Sequence, residues 1–141
     1  TKLYGMAGVR LGYCLTSSAP LLEKLKDAGQ PWAVSSLAQA AGIAALREEE
    51  YVRRARALIR EERAWLKTAL EKAGLGHVSG EANYLFFRSD VEDLAERTRR
   101  RGVLIRDCGN YVGLTKGYYR VAVRAHEENE AMIAALLDAL S

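Results

Sequence analysis

The sequence predicts an α+β fold in which strands are covered on one side by helices. Short strand-like runs at 83–88, 103–107 and 118–124 are bounded by glycines or polar residues. Helical patterns separate them without a strand–helix–strand rhythm, which points to a two-layer sandwich. Upstream, helical character runs with little interruption from Ser35 to Ala73.

Taken in order, Val9 to Leu15 reads as a strand. Ser17-Ser18-Ala19-Pro20 offers a cap and a first-turn proline for a short helix, Leu21 to Asp27. Pro31 then excludes helix continuation and restricts Gln30 to extended conformations. Ser35-Ser36 can cap the long helical stretch, whose alanines at 38, 40, 41, 44 and 45 allow close packing around Gly42. Glu49 with Arg53, and Glu50 with Arg54, stand four apart in the order that favours helix. Val52, Ala55, Ile59, Leu66 and Ala73 form an apolar stripe, widened by Leu58, Trp65, Ala69 and Leu70, and Gly74 is a natural stop. The spacing of Trp65 places it in the core rather than against a ligand.

Asn83 leads into a buried strand through Arg88. Ser89 with Glu92 makes a capping box for a helix through Arg101, closed by Gly102. The basic run Arg97–Arg101 reads as the solvated end of that helix. Residues 103–107 form a second strand, 109–113 a loop, and Tyr118 to Arg124 a third strand. The segment from His126 opens the last helix with acids at its favourable end. Met132, Ile133, Leu136, Leu137 and Leu140 give it one apolar face.

With 141 residues, 49% apolar and 28% charged, the chain suits one domain with a genuine core, alone or with a remnant of another. A net charge of +3, spread along the chain, singles out no nucleic-acid partner. No apolar run approaches the ~20 residues of a membrane span. Cys14 and Cys108 have no metal-ligand spacing to each other or to His77 and His126. Both are expected to be reduced, buried thiols, which fits a cytoplasmic setting.

Two constellations carry chemistry. The first is Thr1-Lys2-Leu3-Tyr4-Gly5-Met6-Ala7-Gly8-Val9-Arg10-Leu11-Gly12-Tyr13. An amine and a guanidinium held close together suit a ligand with an aldehyde and a phosphate, through a Schiff base and paired hydrogen bonds. Two solvated charges are the plain alternative. The second is Arg106 and Arg120, on neighbouring strand-like segments. Period-2 alternation puts Tyr118, Arg120, Ala122 and Arg124 on one face and Tyr119, Val121 and Val123 on the other. An arginine in an otherwise apolar strand needs an anion or a carboxylate nearby. Asp107 and Glu81 are available for a structural salt bridge.

The wording Thr-Lys-x-Tyr-x-x-x-Gly-x-Arg-x-Gly-Tyr resembles the lysine segment of fold-type-I pyridoxal-phosphate enzymes, in the class I/II aminotransferase group. The resemblance implies that Lys2 holds pyridoxal 5'-phosphate as a Schiff base and later moves the proton, and that Arg10 binds the cofactor phosphate. It also implies the C-terminal part of a longer enzyme, homodimeric when complete. Residues 1–34 would then be a remnant of the large cofactor-binding domain, 35–74 a long interdomain helical segment, and 75–141 the small domain, an antiparallel sheet packed by helices. On this reading the chain alone is expected to be inactive, because the groups that stack on and pair with the cofactor ring lie upstream. A non-catalytic binding or oligomerisation module is the alternative from another class.

The run Ile105-Arg106-Asp107-Cys108-Gly109-Asn110-Tyr111, followed by Gly117-Tyr118-Tyr119-Arg120, is similar to one subgroup of that family. It joins histidinol-phosphate aminotransferases with threonine-phosphate decarboxylases of the cobalamin pathway. The resemblance implies a phosphorylated amino-acid or amine substrate, with Arg120 on its carboxylate and Arg106 at its phosphorylated end. The wording favours the decarboxylase side, and transamination to 2-oxoglutarate is the alternative. Which bond at the substrate carbon stands perpendicular to the cofactor ring would decide between them.

Overall fold

The computed structural model describes residues 2–141, so Thr1, the first member of the Thr-Lys pair, lies outside them. The chain divides into two units, Thr1–Ala55 and Arg56–Ser141. In the first, a 3-10 turn (Ala7–Val9) precedes α1 (Ala19–Ala28), α2 (Ser36–Ala45) and the start of α3 (Glu49–Lys72). Both expected serine caps form. Ser18 Oγ accepts from the Leu21 amide at 3.4 Å, and Ser35 Oγ from the Ala38 amide at 3.2 Å. Each satisfies one of the donors a helix start leaves orphaned.

Several expectations for this unit need correction. The strand from Val9 to Leu15 is absent: the 3-10 turn closes on Arg10 at φ 55, and residues 11–15 find no ladder partner among the described residues. An alternating pattern without a neighbour to hydrogen-bond forms no strand. Cys14 is exposed, whereas Cys108 is buried as expected. The long helix is interrupted after Ala45, where the Arg47 and Glu48 amides turn back onto Ala44 and Ala45. It restarts with Glu49 and Glu50 in the first turn of α3, at the positive end of its dipole. Glu50 pairs with Arg54 at 3.7 Å as expected, but Arg53 also goes to Glu50 rather than to Glu49. A Cβ on Gly42 would stand 2.6 Å from Leu11 Cδ2, so the missing side chain admits the loop after Arg10.

The second unit holds the rest of α3, then β1 (Gly76–Val78), β2 (Tyr84–Arg88), α4 (Leu94–Arg100), β3 (Arg106–Asp107), β4 (Tyr118–Ala122) and α5 (His126–Leu140). The strands form one sheet, ordered β1-β2-β4-β3, with every pair antiparallel. Leu85 and Phe87 of β2 and Tyr119 and Val121 of β4 face inward, against Leu66 and Leu70 of α3, Leu94 of α4, and Met132 and Leu136 of α5. The expected alternation along 118–124 therefore holds. Trp65 packs on the edge of this core.

Gly74 and Gly102, at φ 72 and φ 79, close α3 and α4 in the same way. In each, the next residue's amide reaches back five residues, Leu75 to Leu70 and Val103 to Thr98, both at 3.0 Å. That closure engages Val103, and the expected strand at 103–107 shrinks to Arg106–Asp107. The Ser89 capping box does not form. The Ser89 amide still belongs to the sheet, donating to Gly117 O at 2.8 Å, and its Oγ reaches only the Val91 amide. Leu137 of α5 faces outward, its expected place in the apolar face taken by Ala135 and Ala139.

No side chain caps the start of α5, which is tied down from its own interior instead. Buried Glu62 of α3 accepts from Asn129 Nδ2 at 2.8 Å and meets His126 Nδ1 at 3.1 Å. Asn129 also bonds the Arg124 backbone in both directions. The Asn129 amide, with His126 behind it, holds the Glu62 carboxyl below its ordinary 4.5. The Glu62 hydrogen bond in turn raises His126 above 6.5. A lowered carboxylate stabilises above its ordinary value, and a raised imidazole stabilises below its own. The link is thus fully formed between 4.5 and 6.5. Thermal melts are expected to show stability falling as pH rises through the raised His126 value, and falling again in acid. His126→Gln should remove the alkaline limb and keep the acid one. An unchanged alkaline slope in that variant would rule this link out.

Candidate functional site

Lys2 opens a turn closed by the Gly5 amide on its carbonyl at 3.2 Å, with Gly5 at φ 65. Two aromatic contacts fix the same turn from α3. The Tyr51 hydroxyl donates to Leu3 O at 3.0 Å, and the Tyr51 ring stacks on Tyr4 at 5.9 Å between centroids. Arg10 is left-handed, at a cost of roughly 1–2 kcal/mol for a residue with a Cβ. Its Nη1 donates to Ala7 O at 3.1 Å, folding the guanidinium back over the 3-10 turn. Lys2 and Arg10 are both exposed. Neither lies within 4.0 Å of a carboxylate among the described residues. The space beside Gly8 and Gly12 is open, so a ligand can approach this backbone closely.

In the second unit, Arg106 and Arg120 stand directly opposite each other across the β3–β4 ladder, on the sheet face away from the core. Arg120 lies 4.8 Å over the ring of Tyr84, and Arg106 lies 5.6 Å over Tyr111. Arg106 Nη2 also donates to Asn110 Oδ1 at 3.4 Å. The two carboxylates available to Arg120 in a structural salt bridge are engaged elsewhere. Glu81 pairs with Arg63 at 2.5 Å, which holds its carboxyl below the usual range. Asp107 Oδ1 accepts from the Gly109 amide at 2.8 Å. Among the described residues Arg120 has no carboxylate within 4.0 Å.

Sequence reasoning missed Tyr51 and Tyr84. Tyr84 was legible in principle, since period 2 places it on the face of Phe86 and its register partner is Ala122, two residues from Arg120. Tyr51 carries no such signal, because it meets Lys2's turn from 48 residues beyond Leu3, with α1 and α2 between them. Lys2 and Arg10 belong to the first unit, and Arg106 and Arg120 to the second.

Comparison with known proteins places the chain in a family. The family described as Aminotransferase class I and II matches residues 1–140. The histidinol-phosphate aminotransferase of Symbiobacterium thermophilum is 43% identical over 99% of this chain and 38% of its own length. The threonine-phosphate decarboxylase of Salmonella typhimurium is 39% identical over 100% of this chain and 40% of its own. The chain thus spans about two-fifths of these curated relatives. The crystal structure of the histidinol-phosphate aminotransferase from Clostridium acetobutylicum superposes with a TM-score of 0.91 at 28% identity, covering 98% of this chain and 43% of that one. Its match is to the C-terminal part of the aminotransferase structure, which accounts for the α+β architecture. The chain therefore belongs to the class I and II aminotransferase family.

Proposed function

We propose that this chain is the C-terminal part of a pyridoxal-phosphate-dependent enzyme acting on a phosphorylated amino acid or amine, and that its reaction is a threonine-phosphate decarboxylation. The observation that carries the reading is the Arg106–Arg120 pair. Like charges directly opposite on a sheet are unfavourable. Here two guanidiniums face each other at register, each held over a tyrosine ring, and among the described residues no carboxylate lies within 4.0 Å of Arg120. A substrate carrying both a carboxylate and a phosphate neutralises such a pair. The planar fork of each arginine suits either anion.

Enzymes of this family use pyridoxal phosphate. The residues present fit it, because Lys2 offers an exposed amine on a fixed turn and Arg10 an exposed guanidinium beside an open glycine-bearing backbone. Lys2 would hold the cofactor and then carry a proton at Nζ, and Arg10 would hold its phosphate. When bound, the cofactor supplies an electron sink for bonds at the substrate's α-carbon. Arg120 would hold the carboxylate and Arg106 the phosphate, fixing which of those bonds is presented. We further propose residues 1–34 as part of the large domain, 35–74 as the interdomain segment and 75–141 as the small domain of a cytoplasmic homodimer. Transamination of histidinol phosphate is the second reading, favoured by the 43% identical relative. Incubating the full-length enzyme with each substrate, while following carbon dioxide release and glutamate formation from 2-oxoglutarate, separates the two.

Lys2 is expected to be the one lysine trapped by borohydride in the full-length enzyme loaded with cofactor. Peptide mapping that placed the label on Lys24, Lys26, Lys67, Lys72 or Lys116 would sink the assignment.

Arg120→Lys is expected to weaken substrate binding by roughly tenfold to a hundredfold, the loss of one charge-assisted contact worth about 1.5–3 kcal/mol. Its melting temperature should hold. Arg106→Ala should fall hardest on phosphorylated substrates and spare analogues without phosphate. Kinetics on both substrate types decide it: equal slowing of the two would remove Arg106 from the phosphate.

A further inference from the structure

The turn that carries Lys2 is anchored on a residue far away in sequence. Lys2's own carbonyl is taken by Gly5, but the next carbonyl, that of Leu3, is taken by the Tyr51 hydroxyl at 3.0 Å. The Tyr51 ring also stacks on Tyr4 at 5.9 Å, nearly parallel at 21°. Tyr51 sits in the first turns of α3, one residue after Glu50, whose carboxylate is engaged by Arg53 and Arg54. Its support is therefore the start of a 24-residue helix. Beside it, Ala41, Ala44 and Ala45 of α2 leave a cavity whose rim Tyr4 and Tyr51 share. Tyr51 is 39% exposed, so its ring contributes little to a core and its two contacts serve the turn.

We infer that Tyr51 is a positioning residue for Lys2: its hydroxyl and its ring together fix the turn that carries the lysine amine. The inference rests on the proposed role of Lys2 as the cofactor-holding group. A lysine that must form a bond to one atom and then move a proton at another depends on where its backbone is held. A small misplacement there is felt as rate. One carbonyl anchor and one stacked ring, both from α3, restrict the two residues that follow Lys2. The alternative role, a plain stabilising contact, would show in the melting temperature and leave the amine's reactivity unchanged.

The test uses the full-length enzyme freed of cofactor. Pyridoxal phosphate is added, aliquots are quenched with borohydride, and the label at Lys2 is followed by peptide mass spectrometry. Hydrogen exchange of the Gly5 amide is measured in parallel, because it reports closure of the turn on Lys2. Tyr51→Phe keeps the stacked ring and removes the hydroxyl. Tyr13→Phe, at a tyrosine 90% exposed on the same segment, is the control. Tyr51→Phe is expected to slow labelling of Lys2 by about twofold to tenfold, the scale of one neutral hydrogen bond. It should speed Gly5 exchange correspondingly, with the melting temperature unmoved and Tyr13→Phe behaving as the unsubstituted protein. Normal labelling and normal Gly5 exchange in Tyr51→Phe would overturn this inference alone. So would equal slowing in Tyr13→Phe, or a labelling loss matched by a lowered melting temperature. No label at Lys2 in the unsubstituted enzyme would overturn the cofactor reading, and this inference with it.

Discussion

The register between β2 and β4 is the constraint on which the second unit depends. Leu85 faces Val121 and Phe87 faces Tyr119 on the core side, while Phe86 faces Arg120 on the other. Strand side chains alternate with period two, so a slip of one residue would drive Arg120 into the core and Tyr119 out of it. Two features fix the register beyond hydrophobic burial. The Tyr119 hydroxyl stands 2.8 Å and 2.7 Å from the carbonyls of Val91 and Glu92, sharing its proton between them. Burial pushes its ionisation up, so it stays a donor. At the strand's beginning, a Cβ on Gly117 would meet Ser89 O at 2.7 Å, and Gly117 lies at φ 91. Only glycine fits both the close approach and the left-handed backbone.

The arginine face follows from that register. β3 is two residues long and hangs on β4 alone, which brings Arg106 opposite Arg120. The loop beyond it is braced by its own backbone. Cys108 donates to Tyr118 O at 2.8 Å, and Tyr111 and Leu114 close successive turns at 3.0 Å. The same loop presents the Tyr111 ring and the Asn110 amide to Arg106. The rigid core side of the sheet thus sets the geometry of its charged side.

What was legible in the sequence was what local chemistry decides. Caps at Ser18 and Ser35, stops at Gly74 and Gly102, and the alternation from Tyr118 onward all follow from one or two neighbouring residues. What failed needed a partner. Val9–Leu15 has the composition of a strand and no ladder among the described residues. Ser89 has the spacing of a cap, but its amide was already committed to Gly117 across the sheet. β1 was unseen because three residues, the first of them a glycine, carry too little pattern. The arginines of the site were visible as charges in apolar strands. Their tyrosine supports were not, because contacts between side chains on different elements leave no mark on spacing.

Magnitudes support the proposal that the arginine pair serves binding more than folding. Opposed like charges on an exposed sheet face cost roughly 0.2–1 kcal/mol. A guanidinium over an exposed aromatic ring returns about 0.5–1 kcal/mol, and each of these arginines has such a ring, Arg120 over Tyr84 and Arg106 over Tyr111. The two rings together return about 1–2 kcal/mol against that one repulsion, so the sheet holds both cations at a small net gain. A charge-assisted hydrogen bond to an anion is worth about 1.5–3 kcal/mol, more than either. On the proposed reading, the arrangement would reach its full stabilisation only with the substrate's anionic groups on the two guanidiniums. Lysines would not substitute, because an ammonium lacks both the flat face that rests on tyrosine and the fork that meets a carboxylate or phosphate.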